Sequence, residues 1–409
     1  MPPSAHGHDS VRSSETASIE VALLTGGADR PYALGLAEAL LSKDVRVDFI
    51  GSDDLDSPAL RKSPRFNFLN LRGDQREDVS VATKISRVLS YYARLIQYAS
   101  ISRPTIFHIL WNNKFEMFDR TLLMLFYKLL GKKIAFTAHN INTGKREAKD
   151  TFLNRVTLKL QYRLADHVFV HTQAMKQELL EGFDVREDAT TVIPFGLTAA
   201  VPDTDLTRDQ ARRRLGIGDR EKTILFYGHI GPYKGLEFLV SAFQRLAAED
   251  PDYRLIIAGK PGGTCDKYIN DIQRTIRSDA SRTKITQRLE YIPEDETESY
   301  FKAADVLALP YTEIAQSGVL VLGYRFGLPA IAADVGSFRE DIIEGGTGFL
   351  CRPGDAVDLA RKIETYFQSP LFKGLATRRL EIRAYAAQRY SWETVSRLTC
   401  AVYQELLTK

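Results

Sequence analysis

The stretch Phe226-Tyr-Gly-His-Ile-Gly-Pro-Tyr-Lys-Gly-Leu236 decides the fold of this chain. It joins an apolar run, residues 223–226, to an amphipathic pattern that starts at Leu236. Glycines let a backbone approach an anion closely, and Lys234 adds a mobile positive charge. The stretch therefore predicts a strand, a tight basic loop and a helix N-terminus, which together form a cradle for a diphosphate. An ordinary strand-to-helix turn with a solvated lysine is the alternative.

Length and composition describe a globular protein of two domains. The chain has 409 residues, of which 44% are hydrophobic and 26% charged, and its formal net charge is +3. A single hydrophobic core rarely serves more than about 250–300 residues, so two domains are expected. The nearly balanced charge argues against a nucleic-acid partner and leaves room for a weakly basic face towards phosphates or anionic lipid.

Cysteine usage and the first residues bear on the location of the protein. The three cysteines, Cys265, Cys351 and Cys400, are widely spaced and fit neither a disulfide framework nor a metal motif. A reducing, cytoplasmic location is therefore expected. Residues 1–17 are rich in Ser, Pro, His and Gly and are expected to form a disordered tail rather than a signal peptide. No apolar run approaches the ~20 residues that span a bilayer.

Short apolar runs alternate with helical patterns along nearly the whole chain. Twelve of these runs predict strands, at residues 19–24, 46–50, 106–110, 133–138, 168–170, 191–193, 223–227, 254–258, 284–291, 306–309, 330–333 and 349–351. One helix between them is predicted to bury a single face formed by Ile85, Val88, Leu89, Tyr92, Leu95 and Ile96. The alternation is typical of βαβ units, so the fold class is α/β, with two Rossmann-like domains whose parallel sheets face a cleft.

The pattern pauses once, at residues 197–208, which carry a proline and several Asp and Thr and are predicted to link the domains. The predicted division is a tail of residues 1–17, a first domain of residues 18–200, a second domain of residues 207–385 and a C-terminal helix at residues 386–409. In such sheets ligands bind beyond the carboxyl ends of the strands, so functional residues are expected in the loops that follow strands.

Two positions in the first half of the chain are candidates. Gly27 lies in a Gly-Gly turn after the first strand, where the next helix N-terminus faces the cleft. His139 directly follows the run of residues 133–138, and near its usual pKa of ~6.5 a histidine donates or accepts a proton. A histidine that is hydrogen-bonded for structural reasons is the alternative. His108 and His171 also end or follow strands, with less supporting context.

Loops of the second half carry further candidates. Gly259 and Lys260 follow a strand and offer backbone amides and a cation, and a nucleotide base is expected against Ile292 at the next strand end. Two surface turns are the alternative. The acidic stretch of residues 52–54 lacks a matching ligand elsewhere, so no metal site is predicted.

The segment after the run 306–309 resembles a helix start. Gln316, Ser317 and Gly318 have the character of a helix N-terminus with free amides, and Val319 begins a buried helix. A diphosphate is expected to rest on those amides. Glu313 precedes them, where a carboxylate would hydrogen-bond sugar hydroxyls, and a solvated loop charge is the alternative.

Taken together, these segments resemble the family-4 retaining glycosyltransferases of GT-B fold over about residues 18–408. The resemblance rests on a set of motifs: Gly228-x6-Gly235 with Lys234, Ala258-Gly259, Tyr300-x-x-Ala303-Ala304-Asp305-Val306, Leu309-Pro310, Gly327-Leu-Pro329, Gly336-x3-Glu340, Gly345-x2-Gly348-x3-Arg352-Pro353 and Thr137-Ala-His139.

The resemblance implies transfer of a hexosyl-type sugar from a nucleotide-diphosphate donor to a glycan or lipid-linked acceptor, with retained anomeric configuration, in surface polysaccharide or glycolipid biosynthesis. The first domain would bind the acceptor and the second the donor, the last helix would cross back to the first domain, and neither metal nor other cofactor would be needed. His139, Lys234 and Glu313 form the expected catalytic set. The expected donor-binding residues are Gly27, Gly228, His229, Lys234, Gly259, Lys260, Ile292, Gln316, Ser317, Gly318 and Val319.

Two departures from the family pattern stand out. His229 occupies a position where the family often has arginine, and Ile314 and Leu322 occupy those of a common glutamate pair. The donor sugar and base are therefore left open. A nucleotide-sugar epimerase and a non-catalytic nucleotide-sugar binder remain alternative functions.

Residues 118–133 raise the question of peripheral membrane contact. The segment is apolar with several basic residues nearby, so it fits an amphipathic helix that lies on an anionic bilayer at the inner face of the membrane. A buried helix of the first domain fits the same pattern and is the preferred interpretation.

Overall fold

The computed structural model describes residues 19–27, 29–76, 78–142, 144, 150–197, 201–263 and 265–409, so the predicted tail lies outside the described residues. Their strands are β1 Glu20–Leu24, β2 Arg46–Gly51, β3 Phe66–Asn70, β4 Ile106–Ile109, β5 Lys133–Thr137, β6 His167–Val170, β7 Thr190–Val192, β8 Lys222–Tyr227, β9 Tyr253–Ala258, β10 Ile285–Arg288, β11 Val306–Leu309, β12 Ala330–Ala333 and β13 Gly348–Cys351.

Helices connect nearly all of these strands. They are α1 Arg30–Leu41, α2 Val81–Ile101, α3 Glu116–Phe118, α4 Met124–Leu129, α5 Phe152–Leu164, α6 Gln173–Phe183, α7 Arg208–Arg214, α8 Leu236–Glu249, α9 Asp266–Arg277, α10 Glu294–Ala303, α11 Gly318–Arg325, α12 Phe338–Asp341, α13 Ala356–Gln368, α14 Pro370–Lys373, α15 Leu375–Arg389 and α16 Trp392–Thr408. A π-helical turn, Asp119–Leu123, leads into α4.

The strands form two parallel sheets, which confirms the predicted fold class. Their orders are β3-β2-β1-β4-β5-β6-β7 and β10-β9-β8-β11-β12-β13. Strands β4, β6, β11 and β12 are buried along their whole length. Parallel sheets are covered by helices on both faces, which explains why these strands are short, continuous apolar runs.

Side chains of one strand serve two different cores in the first domain. Val21 and Leu23 of β1 belong to the core on the α1 side, whereas Ala22 and Leu24 belong to the core under α2. This alternation follows from the two-residue period of a strand. The second domain has one large core that includes both faces of its sheet.

The last helix, α16, packs against α1 of the first domain. Its residues in the first-domain core are Val395, Val402, Tyr403 and Leu406. The Tyr403 hydroxyl is hydrogen-bonded to His108 Nδ1 at 2.6 Å, and Trp392 Nε1 donates to the Leu197 carbonyl at 2.9 Å. The chain therefore returns to its first domain after completing the second.

Two strand predictions differ from the structure. Strand β3 has no counterpart in the prediction, because Asn67 and Asn70 break its apolar character and the strand lies, half-exposed, at the sheet edge. The predicted strand of residues 284–291 ends already at Arg288, whose carbonyl accepts a hydrogen bond from Gly259 N. The apolar residues beyond it continue into a loop.

The predicted buried face of α2 is wrong for its first half and for Ile96, which is 38% exposed. Ile85 and Leu89 are 56% and 61% exposed, while Tyr92 and Leu95 are buried. A helix of 21 residues is about 31 Å long, whereas the neighbouring strands of four to six residues span only about 13–20 Å. The N-terminal turns of α2 consequently extend past the sheet. None of the described helices is both long and apolar enough to cross a bilayer.

Candidate active site

In each sheet the strand order reverses once, and loops at such a point form the ligand crevice of doubly wound sheets. The reversal lies between β1 and β4 in the first sheet and between β8 and β11 in the second. The loops that follow these four strands contain Gly27, Trp111, Gly228 and Ser317, respectively. The candidate site is therefore built from two loops of each domain, joined by His139 in the loop after β5.

The loops after β8 and β9 are held together by their backbones. Gly228 N donates to the Ala258 carbonyl at 2.9 Å, and Ile230 N donates to the Lys260 carbonyl at 3.0 Å. A Cβ at Gly259, whose φ is 150°, would lie 1.8 Å from the Gly228 carbonyl oxygen. Only glycine permits this approach, so the two predicted glycines lie side by side at the edge of the second sheet.

Lys234 ends the 3-10 turn Pro232–Lys234, and it is only 6% exposed. Its Nζ donates a hydrogen bond to the Tyr311 hydroxyl at 2.6 Å and lies 3.8 Å from the centroid of that ring. An aromatic face stabilises an ammonium group electrostatically. Burial raises the pKa of Tyr311, against the smaller opposing effect of its hydrogen bond with Ser317. Tyr311 thus connects Lys234 to the start of α11.

Helix α11 begins where the sequence predicted. Ser317 is its N-cap and accepts a hydrogen bond from Leu320 N at 3.4 Å. Val319 Cγ2 lies 3.1 Å from the Cβ position of Gly228, so the helix start touches the loop after β8. Gln316 Oε1 is buried and has no hydrogen-bond partner among the described residues. A helix N-terminus beside a buried ammonium group provides positive potential for an anion.

The other residues predicted in the second domain lie in less enclosed positions. His229 and Lys260 are exposed, and the Cβ position of Gly262 lies 3.1 Å from the His229 ring. The side chain of Ile292 is buried in the domain core, so only its backbone is left to meet a ligand. Glu313 is exposed and makes no hydrogen bond or ion pair within the described part of the chain.

His139 lies at the edge of the first sheet in an aromatic environment. Its ring stacks on Trp111 at a centroid distance of 4.1 Å, and Tyr32 packs edge-on against it at 4.7 Å. Burial, with smaller contributions from His171 and His108, lowers the pKa of His139 well below its usual value. The expectation of a histidine that titrates near pH 6.5 is therefore wrong. The imidazole is neutral at neutral pH.

The neighbours of His139 fix which of its nitrogens carries the proton. His171 Nδ1 lies 3.2 Å from the Ile193 carbonyl, and a carbonyl only accepts, so this nitrogen is protonated. Burial lowers the pKa of His171 to about 4, so the ring is neutral and its Nε2 accepts a hydrogen bond. Nδ1 of His139, at 3.0 Å, must then be the donor. His139 Nε2 is left as a buried acceptor with no described partner.

Phe195 brings the two halves of the site together. Its ring packs 5.2 Å from that of His171 and 6.2 Å from that of His139, and its Cε1 lies 3.5 Å from the Cβ position of Gly318. A second contact between the domains is made by Glu340, whose carboxylate accepts from the amides of Gln173 and Ala174 at the start of α6. The histidines and the start of α11 therefore face one crevice.

Gly27 lies on the first-domain side of that crevice. Its φ is +76°, and a Cβ there would lie 2.6 Å from the guanidinium carbon of Arg72. Arg72 also donates to the carbonyl of Gly26 through a short hydrogen bond. Glycine is required here both by the left-handed backbone and by the close approach of Arg72.

The acidic stretch of residues 52–54 is engaged in local contacts. Asp53 accepts a hydrogen bond from Asn70, and the Asp54 carbonyl accepts one from Arg30 Nε at 2.7 Å. Arg30, which follows the Gly-Gly turn, is thereby directed to this loop. Among the described residues, no group of three or more His, Cys, Asp or Glu is placed to hold a metal ion.

The buried histidines predict that acid destabilises the first domain. Burial lowers the pKa of His108 to about 3, of His167 and His171 to about 4, and of His139 well below the usual value. The unfolded chain then binds more protons below about pH 6.5, so stability is full above this pH and is lost as pH falls. We expect the free energy of unfolding to decrease by up to about 1.4 kcal/mol per pH unit for each histidine. Urea denaturation at about pH 7 and about pH 5 measures the change, and equal values would contradict it.

Of three further residues that shape the site, the sequence indicated His171 only as a weaker candidate and did not indicate Phe195 or Arg72. His171 follows β6 as His139 follows β5, and the pairing of these strands was a usable signal. Phe195 and Arg72 gave no such signal, because each lies in an irregular segment and reaches the site only through the tertiary fold.

Two family models match the chain. The model described as Glycosyl transferases group 1 matches residues 207–389, and the model described as Glycosyltransferase Family 4 matches residues 25–200. Each match takes in most of one sheet and its share of the crevice.

Curated relatives are similar over part of their length. D-inositol 3-phosphate glycosyltransferase of Corynebacterium glutamicum strain R is 30% identical over 227 residues, which is 52% of this chain and 53% of the relative. The protein of the same name from Corynebacterium aurimucosum is 25% identical over 286 residues, covering 67% of this chain and 66% of the relative. The matches thus span about half to two thirds of these relatives.

Solved structures share the whole architecture. Sucrose-phosphate synthase from Thermosynechococcus elongatus superposes with a TM-score of 0.76 at 19% identity, covering 95% of this chain and 99% of the other. Anabaena Alr3699/HepE, solved in complex with UDP-glucose, superposes with a TM-score of 0.71 at 17% identity, covering 95% and 100%. At these identities the likeness establishes the two-domain fold.

Proposed function

We propose, because this chain belongs to the family-4 glycosyltransferases of GT-B fold, that it transfers a hexosyl-type sugar from a nucleotide-diphosphate donor to an acceptor hydroxyl group. The observation that carries the proposal is the meeting of Lys234, Gly228 and the start of α11 at one sheet edge, across the crevice from His139. Retention of the anomeric configuration and independence of a metal ion are parts of the same proposal.

The second domain supplies the electrostatic part of the reaction. As the bond between the sugar and the diphosphate breaks, negative charge grows on the departing diphosphate. The ammonium group of Lys234 and the amides at the start of α11 are fixed in place before the reaction, so they stabilise that charge without reorganising. These groups do the work that a divalent cation does in other nucleotide-sugar sites.

The first domain supplies a hydrogen-bond acceptor for a hydroxyl group of the donor sugar. His139 Nε2 is unprotonated and has no partner among the described residues, so it is suited to accept a hydrogen bond from a sugar hydroxyl next to the reacting carbon. A neutral ring in this place positions the sugar rather than transferring a proton to it. Glu313 is exposed on the loop before α11, where its carboxylate is available to accept a hydrogen bond from a sugar hydroxyl.

The identities of the donor and of the acceptor are tested directly. UDP-glucose is the first donor to examine, because the Anabaena neighbour was solved with it. The sequence suggested a glycan or lipid-linked acceptor of surface polysaccharide or glycolipid synthesis. The curated relatives are named for D-inositol 3-phosphate, and so favour a smaller acceptor than a polysaccharide.

Release of nucleoside diphosphate from a panel of sugar nucleotides separates the three candidate functions. A transferase releases the diphosphate, faster with acceptor than by slow hydrolysis alone, and the anomeric signal of its product in NMR reports retention. An epimerase instead yields a new sugar nucleotide without release. Binding without any turnover supports the non-catalytic binder and rejects the proposal.

Peripheral membrane contact is a separate part of the proposed function. One side of the segment 118–133 is buried, as preferred from the sequence, but three of its leucines are at least 45% exposed: Leu122, Leu125 and Leu129. Helix α5 packs beside this segment and exposes Phe152 and Leu153. These five residues form the leucine face.

Three of the four basic residues of the same segment are engaged within the protein. Arg120 binds Glu116 and Asn154, Lys128 binds Asp166, and Lys132 is buried against backbone carbonyls. We therefore propose that apolar insertion, rather than attraction to acidic lipid, drives contact of the leucine face with a bilayer.

Replacing Leu125 and Leu129 together with aspartate is expected to abolish this contact. Burying a leucine side chain is worth about 1.5–3 kcal/mol, so the pair contributes a factor of about 100 or more to partitioning. Sedimentation with liposomes, with and without acidic lipid, measures it. Leu380→Asp, at a leucine of α15 that is 68% exposed, is the matched control and keeps wild-type pelleting. A wild-type protein that stays in the supernatant would reject the proposal.

A further inference from the structure

A cavity of about 280 Å³ lies in the first domain, beside Gly27 and apart from the donor-binding loops of the second domain. Its walls come from the loop after β3, from α2 and from the loop after β4. They carry five cationic side chains and one carboxylate: Arg72, Arg76, Lys84, Arg87, Lys114 and Asp74. A concave surface with such an excess of positive charge concentrates anions.

The only carboxylate among the described residues that line the cavity is already paired with two of the cavity's cations. Asp74 forms ion pairs with Arg76 at 2.7 Å and with Arg87 at 3.2 Å. Arg72, Lys84 and Lys114 make no ion pair within the described part of the chain. Three cations thus surround the cavity without a described counter-charge, and a bound anion would provide it.

The cavity is continuous with the crevice through Arg72. Its guanidinium is 5.3 Å from the Tyr91 ring and packs against Gly27. Asn113, which accepts a hydrogen bond from Tyr91 at 2.6 Å, is two residues from the Trp111 ring on which His139 stacks. An anion in the cavity is therefore held on the acceptor side of the crevice, close to the proposed reacting centre.

We propose that this basic pocket binds the phosphate group of the acceptor, which is accordingly a phosphorylated hydroxyl compound. Arginine forks and lysine ammonium groups are the usual partners of phosphate oxygens. The volume of about 280 Å³ lies just below the ~300–1,000 Å³ typical of small-molecule sites, which suits a phosphate with a small polyol rather than a glycan chain. The role as acceptor site rests on the proposed function, whereas anion binding does not.

Calorimetric titration with glycerol 3-phosphate, and with glycerol as the uncharged control, tests the pocket. All proteins carry Lys234→Met, so that phosphate binding in the donor site does not contribute. Adding Lys84→Gln and Lys114→Gln is expected to weaken glycerol 3-phosphate binding by about 10- to 100-fold, because two charge-assisted contacts are lost. Both lysines are exposed, so folding is preserved. Adding Lys62→Gln and Arg103→Gln, at exposed residues outside the pocket, removes the same charge and leaves binding unchanged.

A second arm separates a free phosphorylated polyol from a lipid headgroup. Phosphatidylcholine vesicles with and without phosphatidylglycerol are sedimented with the same proteins. Pelleting that increases with phosphatidylglycerol, with the increase lost in the variant carrying Lys84→Gln and Lys114→Gln, supports the pocket and identifies the headgroup as its ligand. Tight binding of soluble glycerol 3-phosphate alone supports the pocket and identifies a small acceptor.

Either of two results overturns the assignment. One is binding of glycerol 3-phosphate no tighter than that of glycerol, with no vesicle effect, and the other is an equal loss in both double variants. The outcome is independent of the proposed function. An enzyme that transfers sugar without a phosphate-binding pocket refutes the pocket alone, and a phosphate-binding pocket without donor turnover refutes the transferase alone.

Discussion

Lys234→Met is expected to lower kcat/KM for the sugar nucleotide by about 100- to 1,000-fold, the range seen when one preorganised group is removed from a developing negative charge. Methionine keeps the length and apolar character of the buried lysine stem and removes only the charge. The loss should appear both in donor binding and in turnover, because the diphosphate is charged before and after the bond to the sugar breaks. Nucleoside diphosphate release and calorimetric binding measure the two effects.

Two further variants test whether the loss is specific to the charge of Lys234. Tyr311→Phe retains the aromatic face under Lys234 and removes one hydrogen bond, so we expect a smaller loss, about 5- to 10-fold. Lys373→Met, at an exposed lysine of the same domain, leaves kcat/KM unchanged. Donor turnover at the wild-type rate in a folded Lys234→Met protein would refute the role of Lys234.

Replacing His139 with alanine is expected to lower kcat by about 10- to 100-fold and to change donor affinity little. The variant loses the acceptor Nε2 while the diphosphate contacts stay intact. Because the pKa of His139 lies well below its usual value, the ring is neutral at and above about pH 6.5, and activity should be lost only as pH falls well below this. A kcat that falls with a midpoint near pH 6.5, and only in proteins that retain His139, would contradict the neutral ring.

The tautomer gives a readout that does not depend on activity. In ¹⁵N NMR spectra, His139 should show a protonated Nδ1 and an unprotonated Nε2. His171→Ala removes the acceptor for Nδ1 and should produce a mixture of tautomers with a partial loss of kcat, whereas His171→Gln restores an acceptor and part of the activity. His167→Gln, at the opposite end of β6, is the matched control and leaves kcat unchanged. A single Nε2-protonated tautomer in the wild type would refute the assignment.

The predictable parts of the structure are those that depend on local patterns. Apolar runs gave twelve of the thirteen strands, because a strand covered on both faces has few polar residues. The start of α11 after Ser317 followed from the N-cap character of that residue. The nearness of Lys234 followed from the rule that loops after parallel strands meet at one edge. Strand β3 was not predicted, because an edge strand tolerates asparagines and these interrupt the apolar run.

Features that depend on distant parts of the chain were not predictable. The expected pKa of His139 was wrong because burial by Trp111 and Tyr32, far apart in sequence, outweighs the intrinsic value. Ile85 and Leu89 were assigned to a buried face because periodicity records which residues share a side, but not how far the neighbouring sheet extends. The basic pocket combines three segments whose charges, read singly, look like ordinary surface residues.

The packing of α16 on α1 has a consequence for how the protein is made. A nascent chain emerges with α1 and its sheet early, but Tyr403 and its neighbours, which complete that core, are translated last. At about 5–20 residues per second, the roughly 200 residues between β7 and α16 take about 10–40 s to appear. During that interval the apolar side of α1 is uncovered on the ribosome, and the half of the protein that is translated first depends on the last helical turns of the chain, or on a chaperone, to shield it.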